Sequence, residues 1–433
     1  MQGRKRIFIL ALLLYSFIVN GCGIQDSDEQ TTEVFLMEGE TFISYESEQA
    51  EEDVVSETET APVFEEKEIT LMAVGDNLMH MGIVNTGRME DGSYDYTFLF
   101  DGIADQLEAA DIKIINQETI FGGNHLGFSG YPYFNSPTEV GDAIAEAGFN
   151  VVLQASNHSA DQGIEGLKHA ATFWESYPEV LMTGIHKEAV ETHDIPILMV
   201  EDVSFAVLNY TYGPNMEVLS SGLQGHLDML CNWDVNTGAI DFTTIHPQVL
   251  ADIERASEIA DVVIVCPHWG TEYVTEYSGY QEEFARQMTQ AGADLIIGTH
   301  PHVVQPIEWV ESENGNRALC YYSLGNYVST QQDGISMLEG MAWVNFTVKE
   351  DGVVINEETT GVFPMVCQYK SGPLRLEDVY FLEYYTDEHA QRHGIRNWGG
   401  VNLTVSDLQT WSREIFGDWE LSVTEYFGVP DVH

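Results

Sequence analysis

Two histidines two residues apart, His300 and His302, follow an apolar run at 294–299 (DLIIGT). The run reads as a short buried strand, and on an extended segment side chains at i and i+2 point the same way. Two neutral imidazoles so placed can converge on one cation or on two adjacent ones. The competing explanation is a turn in which two histidines merely cap a strand. Other apolar runs end in the same manner. They carry Gly75-Asp76, Asn116-Gln117-Glu118, Asn157-His158 and His268. Two carboxylates, one carboxamide and three or four imidazoles form a mixed oxygen and nitrogen set. Such a set suits Mn, Fe or Zn and is too nitrogen-rich for Ca or Mg. No cysteine belongs to it, as expected of an open catalytic site.

Each residue has a plainer explanation. Asp76 could cap a helix, Glu118 could be a surface charge, Asn157-His158 could form an Asx turn, and His268 could be a packed imidazole. Together these explanations are uneconomical, because every polar group falls at the same end of successive strands. That is where ligands gather in α/β sheets.

The elements that must position these groups alternate. Strand-like runs lie at 69–76, 112–118, 150–156, 180–185, 195–200, 204–212, 261–269, 294–300 and 319–328. Helical patterns fall between several of them, at 97–110, 137–148, 163–177, 245–260 and 280–292. This alternation predicts an α/β fold with largely parallel sheet. Beyond about residue 302 the pattern turns to antiparallel strands, at 302–310, 341–348, 353–366 and 377–385, before a last amphipathic helix near 404–417. A sandwich of two sheets therefore fits better than a single doubly wound sheet.

The formal net charge is −53, from 17 basic against 70 acidic residues. Such a surface repels nucleic acid and anionic headgroups, so no nucleic-acid partner is expected. Arg4, Lys5 and Arg6 precede the apolar run at 7–19, which has the make-up of a secretory leader and is short for a membrane span. The four residues VNGC at 19–22 resemble a bacterial lipobox, which implies cleavage before Cys22 and a lipid on its sulfur. Residues 23–66 are rich in Glu, Asp, Ser and Thr and read as a disordered acidic tether. The expected organisation is thus a leader at 1–22, a tether at 23–66 and a folded domain at 67–433, held on the outer face of the cytoplasmic membrane. Five cysteines without a CxxC pair argue against a zinc ribbon, and Cys266 and Cys320 inside apolar strands read as buried thiols.

The motifs VGDNLMH (74–80), INQET (115–119), SNHSADQG (156–163), CPHWGTEY (266–273), GTHPHVVQP (298–306) and YSLGNYV (322–328) resemble the CapA-type poly-γ-glutamate capsule biosynthesis family. That family is similar to the calcineurin-like metallophosphoesterases, which implies a sandwich of two mixed β-sheets flanked by helices. The resemblance implies that Asp76, Glu118, Asn157, His268, His300 and His302 hold one or two divalent transition-metal ions. It implies that His158 donates a proton to a leaving group. Asp161 and Glu272 would orient imidazoles, and Asn326 would line the pocket. The superfamily's first motif is Asp-x-His, whereas position 78 here is Leu and the histidine is His80, two residues further on.

Metal-assisted hydrolysis is the chemistry implied, on poly-γ-glutamate or on a phosphoester, with membrane capsule machinery as a partner. Two alternatives stand beside it: a generic secreted metallophosphoesterase, and a non-catalytic capsule assembly or export factor. Trp269, Tyr273, Tyr131 and Tyr133 lie near the motifs, where they either wall a groove or simply pack. The Gly-rich segment 122–137 has the composition of a flap.

Overall fold

The computed structural model describes residues 66–428 apart from 193 and 216–218. They belong to one compact unit, Glu65–His433. The expected leader, Cys22 and the tether up to residue 65 lie outside the described residues. Among the described residues, no helix is long and apolar enough to cross a membrane.

Two mixed sheets lie face to face. The first contains β1 (Lys67–Asn77), β2 (Ile112–Asn116), β3 (Val151–Leu153) and β4 (Leu181–Thr183), all parallel. The second contains β5 (Ile197–Val200) and β6 (Val203–Thr211), with β7 (Cys231–Trp233) and β8 (Ile240–Ile245) forming a separate hairpin after them. It continues through β9 (Val262–His268), β10 (Leu295–Ile297), β11 (Ile307–Glu311) and β12 (Arg317–Tyr321), in the order β11-β12-β10-β9-β6-β5. The chain then returns to the first sheet with β13 (Asn326–Val328), β14 (Leu338–Lys349), β15 (Gly352–Ile355), β16 (Gly361–Lys370) and β17 (Arg375–Phe381).

Period-two alternation decides the layers. On β1, Ile69, Leu71 and Ala73 enter the core between the sheets, while Met72 and Val74 face the helices. On β9, Val262, Ile264 and Cys266 face inward, and Val263 and Val265 meet the helices Pro247–Ile259 and Gly279–Ala291. The result is a helix–sheet–sheet–helix sandwich, as the sequence predicts. Each fully buried aliphatic side chain of this kind contributes about 1.5–3 kcal/mol. The four described cysteines are buried and free.

Several details differ from the sequence reading. The run 319–328 is not one strand: it breaks at Gly325, whose φ is 70°, and its halves serve different sheets. The strand expected at 302–310 begins only at Ile307, and 353–366 is two strands, β15 and β16, each paired with β14. The helix expected at 97–110 opens as a 3-10 turn, Thr97–Ile103. Short helices also follow β17, at Asp387–Arg392 and Val423–Phe427. The β7–β8 hairpin has no clear alternation in sequence, because β8 is mostly exposed.

Candidate metal centre

The carboxyl ends of parallel strands from both sheets meet at one edge of the sandwich. Asn209 on β6 ties the sheets together beneath that edge. Its Oδ1 accepts from the N–H groups of Gln154 and Ala155 at 3.0 and 2.7 Å, and its Nδ2 donates to the Cys266 carbonyl at 2.8 Å. At Gly75 the close approach of two backbones requires glycine: a Cβ there would stand 2.0 Å from the Gly325 carbonyl oxygen. This contact lets the Asp76 N–H donate to that carbonyl and fixes the aspartate at the strand end.

Asp76, Glu118 and His302 form the buried heart of the site. Their ligand atoms lie within 4.8 Å of one another, as do those of Glu272, His300 and His302. His302 Nδ1 stands 3.0 Å from Asp76 Oδ2, and its Nε2 stands 3.6 Å from Glu118 Oε1. Burial opposes the charged imidazole, but Glu118 and Asp76 outweigh it and push His302 up to about 9. Burial also drives the Glu118 carboxyl well above its ordinary range, with His302 pulling the other way. A divalent cation bound among these groups would balance the carboxylate charge that raises His302. Neither oxygen of Glu118 has a hydrogen-bond partner, nor has His300 Nδ1. Orphaned buried acceptors of this kind fit a missing cation.

His268 and Asn157 complete the set. His268 Nε2 and Asn157 Oδ1 are 2.9 Å apart. On the other side of the ring, His268 Nδ1 meets Thr299 Oγ1 at 2.9 Å, a contact that can orient a ligating imidazole. Burial holds both His268 and His300 well below the usual imidazole range, and neighbouring histidines add to this. Neutral imidazoles are the ligating form.

His158 sits at the rim of this group, its Nε2 4.0 Å from Glu118 Oε1. Its Nδ1 lies 2.7 Å from Asp161 Oδ2. A carboxylate can only accept, so Nδ1–H donates and Nε2 is left toward the site. The same aspartate oxygen accepts the Phe134 N–H at 2.7 Å, and the Phe134 ring packs edge-on against His158 at 4.7 Å.

The remaining expected residues also fall here, with altered parts. Glu272 is exposed and within ligand distance of His300 and His302, rather than bonded to an imidazole. Asn326 is fully buried and does not line an open pocket. Its Nδ2 donates to the His302 carbonyl at 3.2 Å, which holds the histidine loop. His80 lies beside Phe134, the ring that packs on His158, and its Nδ1 accepts the Thr330 N–H at 3.3 Å. The extended geometry expected for His300 and His302 is corrected. β10 stops at Ile297, and the two histidines have φ of 100° and 57°. Convergence is achieved by a strained loop rather than by strand alternation.

Sequence reasoning missed Tyr212 and Asn215, just beyond the carboxyl end of β6. The Tyr212 ring lies 4.8 Å from that of His300. Asn215 Oδ1 accepts from Asn157 Nδ2 at 3.0 Å, and its Nδ2 lies 3.3 Å from His158 Nδ1. The strand-end rule that finds the other residues points to this end as well. A cavity of about 470 Å³ opens beside the centre, lined among others by Tyr212, Glu272, Tyr273, Tyr280 and His300, and among the described residues no Lys or Arg lines it.

Residues 70–331 match the family described as bacterial capsule synthesis protein PGA_cap. The chain is 30% identical over 211 residues to the PGA biosynthesis protein CapA of Bacillus subtilis (strain 168), covering 48% of this chain and 50% of that protein. It is 30% identical over 228 residues to the capsule biosynthesis protein CapA of Bacillus anthracis, covering 52% and 50%. It therefore spans about half the length of these curated relatives. A crystal structure of a hypothetical protein from Thermus thermophilus is similar at a TM-score of 0.39 and 14% identity, over 68% of this chain and 99% of that one.

Proposed function

The chain belongs to the bacterial capsule synthesis protein family PGA_cap, and from that premise we propose that it is a lipid-anchored, extracytoplasmic hydrolase of poly-γ-glutamate metabolism. The observation that carries the hydrolase reading is the Asp76–Glu118–His302 group, fully buried and with both Glu118 oxygens unpartnered. Asp76, Glu118, Asn157, His268, His300 and His302 would hold one or two divalent ions of Mn, Fe or Zn. Such an ion, when bound, would lower the pKa of water toward neutrality and polarise the bond to be cut.

The chain's own groups do the rest. His158 Nε2 delivers a proton to the leaving group, and Asp161 accepts Nδ1–H and holds the imidazole in place. Asn215 braces Asn157, accepting from its Nδ2. Thr299 and Asn326 fix the orientation of His268 and the His302 backbone. The lipid anchor at Cys22 and the acidic tether would hold the domain outside the membrane, next to capsule machinery.

The test is metal analysis of the purified protein paired with hydrolysis assays on poly-γ-glutamate and on a chromogenic phosphodiester. Bound metal with Mn-stimulated shortening of the polymer is the expected result. Turnover of the phosphodiester alone would make it a general phosphoesterase. Bound metal with no turnover of either would leave a non-catalytic assembly factor.

A further inference from the structure

The cavity beside the metal centre combines aromatic rings with one carboxylate. Tyr212, Phe242, Tyr273 and Tyr280 line it together with Glu272 and His300, and among the described residues no Lys or Arg does. Ring contacts join its walls to the centre. The Tyr212 ring lies 4.8 Å from that of His300 and 6.0 Å from that of Phe242, and the Tyr273 ring lies 6.1 Å from that of His302. Phe242 is 39% exposed in the middle of β8, between Asp241 and Thr243, so the core does not account for it. Trp269 differs. It is fully buried, with its Nε1–H donating to the Tyr322 carbonyl at 2.9 Å, so it packs.

Glu272 is fastened on both sides. Before it, the Tyr280 hydroxyl accepts the Gly270 N–H and donates to the Gly270 carbonyl. After it, the Tyr273 N–H donates to the Pro301 carbonyl at 2.8 Å, and Gln331 Nε2 donates to the Tyr273 hydroxyl at 3.2 Å. Tyr273 adopts φ of 64°, a conformation that a bulky residue rarely takes without a functional reason. The Glu272 carboxylate is exposed, and it lies within 4.8 Å of the ligand atoms of His300 and His302. A carboxylate among aromatic faces, with no basic group beside it, suits an ammonium ion. The carboxylate accepts its N–H bonds, and the ring faces attract its charge within about 6 Å.

Poly-γ-glutamate carries one such ion. Each residue bears a free carboxylate and each interior nitrogen is a neutral amide, so the amino end alone is cationic, with an ordinary pKa of about 7.7–8.0. A protein of net charge −53 repels the rest of the polymer. We propose that this cavity binds the terminal ammonium of poly-γ-glutamate, with Glu272 accepting its hydrogen bonds and Tyr212, Phe242 and Tyr273 supplying ring faces. The inference rests on the polyglutamate reading above and adds which end of the polymer is taken. At a reach of roughly 3.5 Å per residue, an ammonium on Glu272 stands about one residue from His300 and His302. The bond cut is then the first amide. The hydroxyl of water joins the carbonyl carbon, the carbon–nitrogen bond breaks, and the freed nitrogen takes the proton from His158. One glutamate and a new amino end result.

The test uses the full chain loaded with Mn²⁺ and γ-linked glutamate oligomers of one length, their amino ends free or acetylated. Affinity is measured by calorimetry and products by mass spectrometry. The free oligomer should bind about 10–100-fold more tightly than the acetylated one, the range for hydrogen bonds to a charged group. Glu272→Gln should bring the two to within about threefold, because the amide no longer balances the charge. Its Mn²⁺ content and melting temperature should be unchanged, since Glu272 is exposed and outside the six expected ligands. Phe242→Ala should narrow the preference by about 2–5-fold, the loss of one cation–ring contact. Products should begin with single glutamate. Equal affinity for the two oligomers, or a preference that survives in Glu272→Gln, would overturn the ammonium site and leave the polyglutamate reading standing. So would loss of Mn²⁺ from Glu272→Gln, which would make Glu272 a metal ligand, or cleavage at interior amides. If neither oligomer binds, with or without Mn²⁺, the polyglutamate reading falls and the ammonium site with it.

Discussion

Two regions of this molecule bury histidines in opposite ways. In the carboxyl-terminal segment, His393 is fully satisfied. Its Nε2–H donates to the Cys367 carbonyl at 2.8 Å, its Nδ1 accepts the Ile395 N–H at 3.0 Å, and its ring packs edge-on against Tyr369. At the strand ends, His300 has an orphaned Nδ1 and a left-handed backbone, and it faces a carboxylate site that is equally short of partners. A satisfied hydrogen bond contributes about 0.5–1.5 kcal/mol, whereas a buried orphan costs about 1–3 kcal/mol. One region uses burial to hold a fold together. The other gives up stability to keep donor atoms free.

That contrast is broken most severely at His158. His158→Ala should lower turnover by ~10²–10⁴-fold, because the proton for the leaving group is lost. Metal content should not change, and the deficit should shrink on a substrate whose leaving group departs without a proton. Steady-state kinetics with metal analysis would decide, and full activity in the variant would remove His158 from the mechanism. The next effect is on stability, at His393. Burial holds its imidazole down to about 4 from an ordinary 6.5. A depressed histidine means that the unfolded chain binds the extra proton first, so stability is lost as pH falls from 6.5 toward 4. The full loss is about 3 kcal/mol at about 1.4 kcal/mol per pH unit. Urea titrations across that window should show the loss in the unmodified protein and a smaller one in His393→Gln. Equal pH slopes would mean that His393 does not titrate as its surroundings imply.

The same contrast explains what could be read from the chain alone. Layering was legible because β1 and β9 alternate cleanly between two cores. The strand ends were legible because a polar residue after an apolar run is a local signal. The left-handed turns at His300 and His302 were not, since no glycine marks them and the strain is imposed by contacts with Asp76 and β13. Asn215 was hidden for a related reason. Its contacts are to Asn157 and His158, more than fifty residues away in the chain. The split of 319–328 between two sheets depends on a single positive-φ glycine inside an otherwise strand-like run.

Two smaller effects sharpen the comparison. Asp161→Asn keeps the shape beside His158 but replaces the carboxylate that accepts its Nδ1–H. Turnover should fall by about 10–100-fold, the usual cost of losing an orienting partner. The deficit should shrink on a substrate whose leaving group departs without a proton, which mere loss of packing would not cause.

The smallest effect has an unusual sign. Glu118 is buried without a hydrogen-bond partner, so in metal-free protein Glu118→Gln should raise stability, by about 1 kcal/mol at neutral pH. Because the folded carboxyl lies above its ordinary 4.5, the unmodified protein loses stability as pH rises past that value, and the gap between the two proteins should open with it. Adding Mn²⁺ should reverse the order. The unmodified protein would gain about 2.7 kcal/mol at a hundred times the dissociation constant, while the variant, lacking a ligand, would gain less. Urea midpoints with chelator and with metal give both numbers. A variant that is less stable under chelation would mean that Glu118 holds the fold together, as His393 does, rather than waiting for a cation.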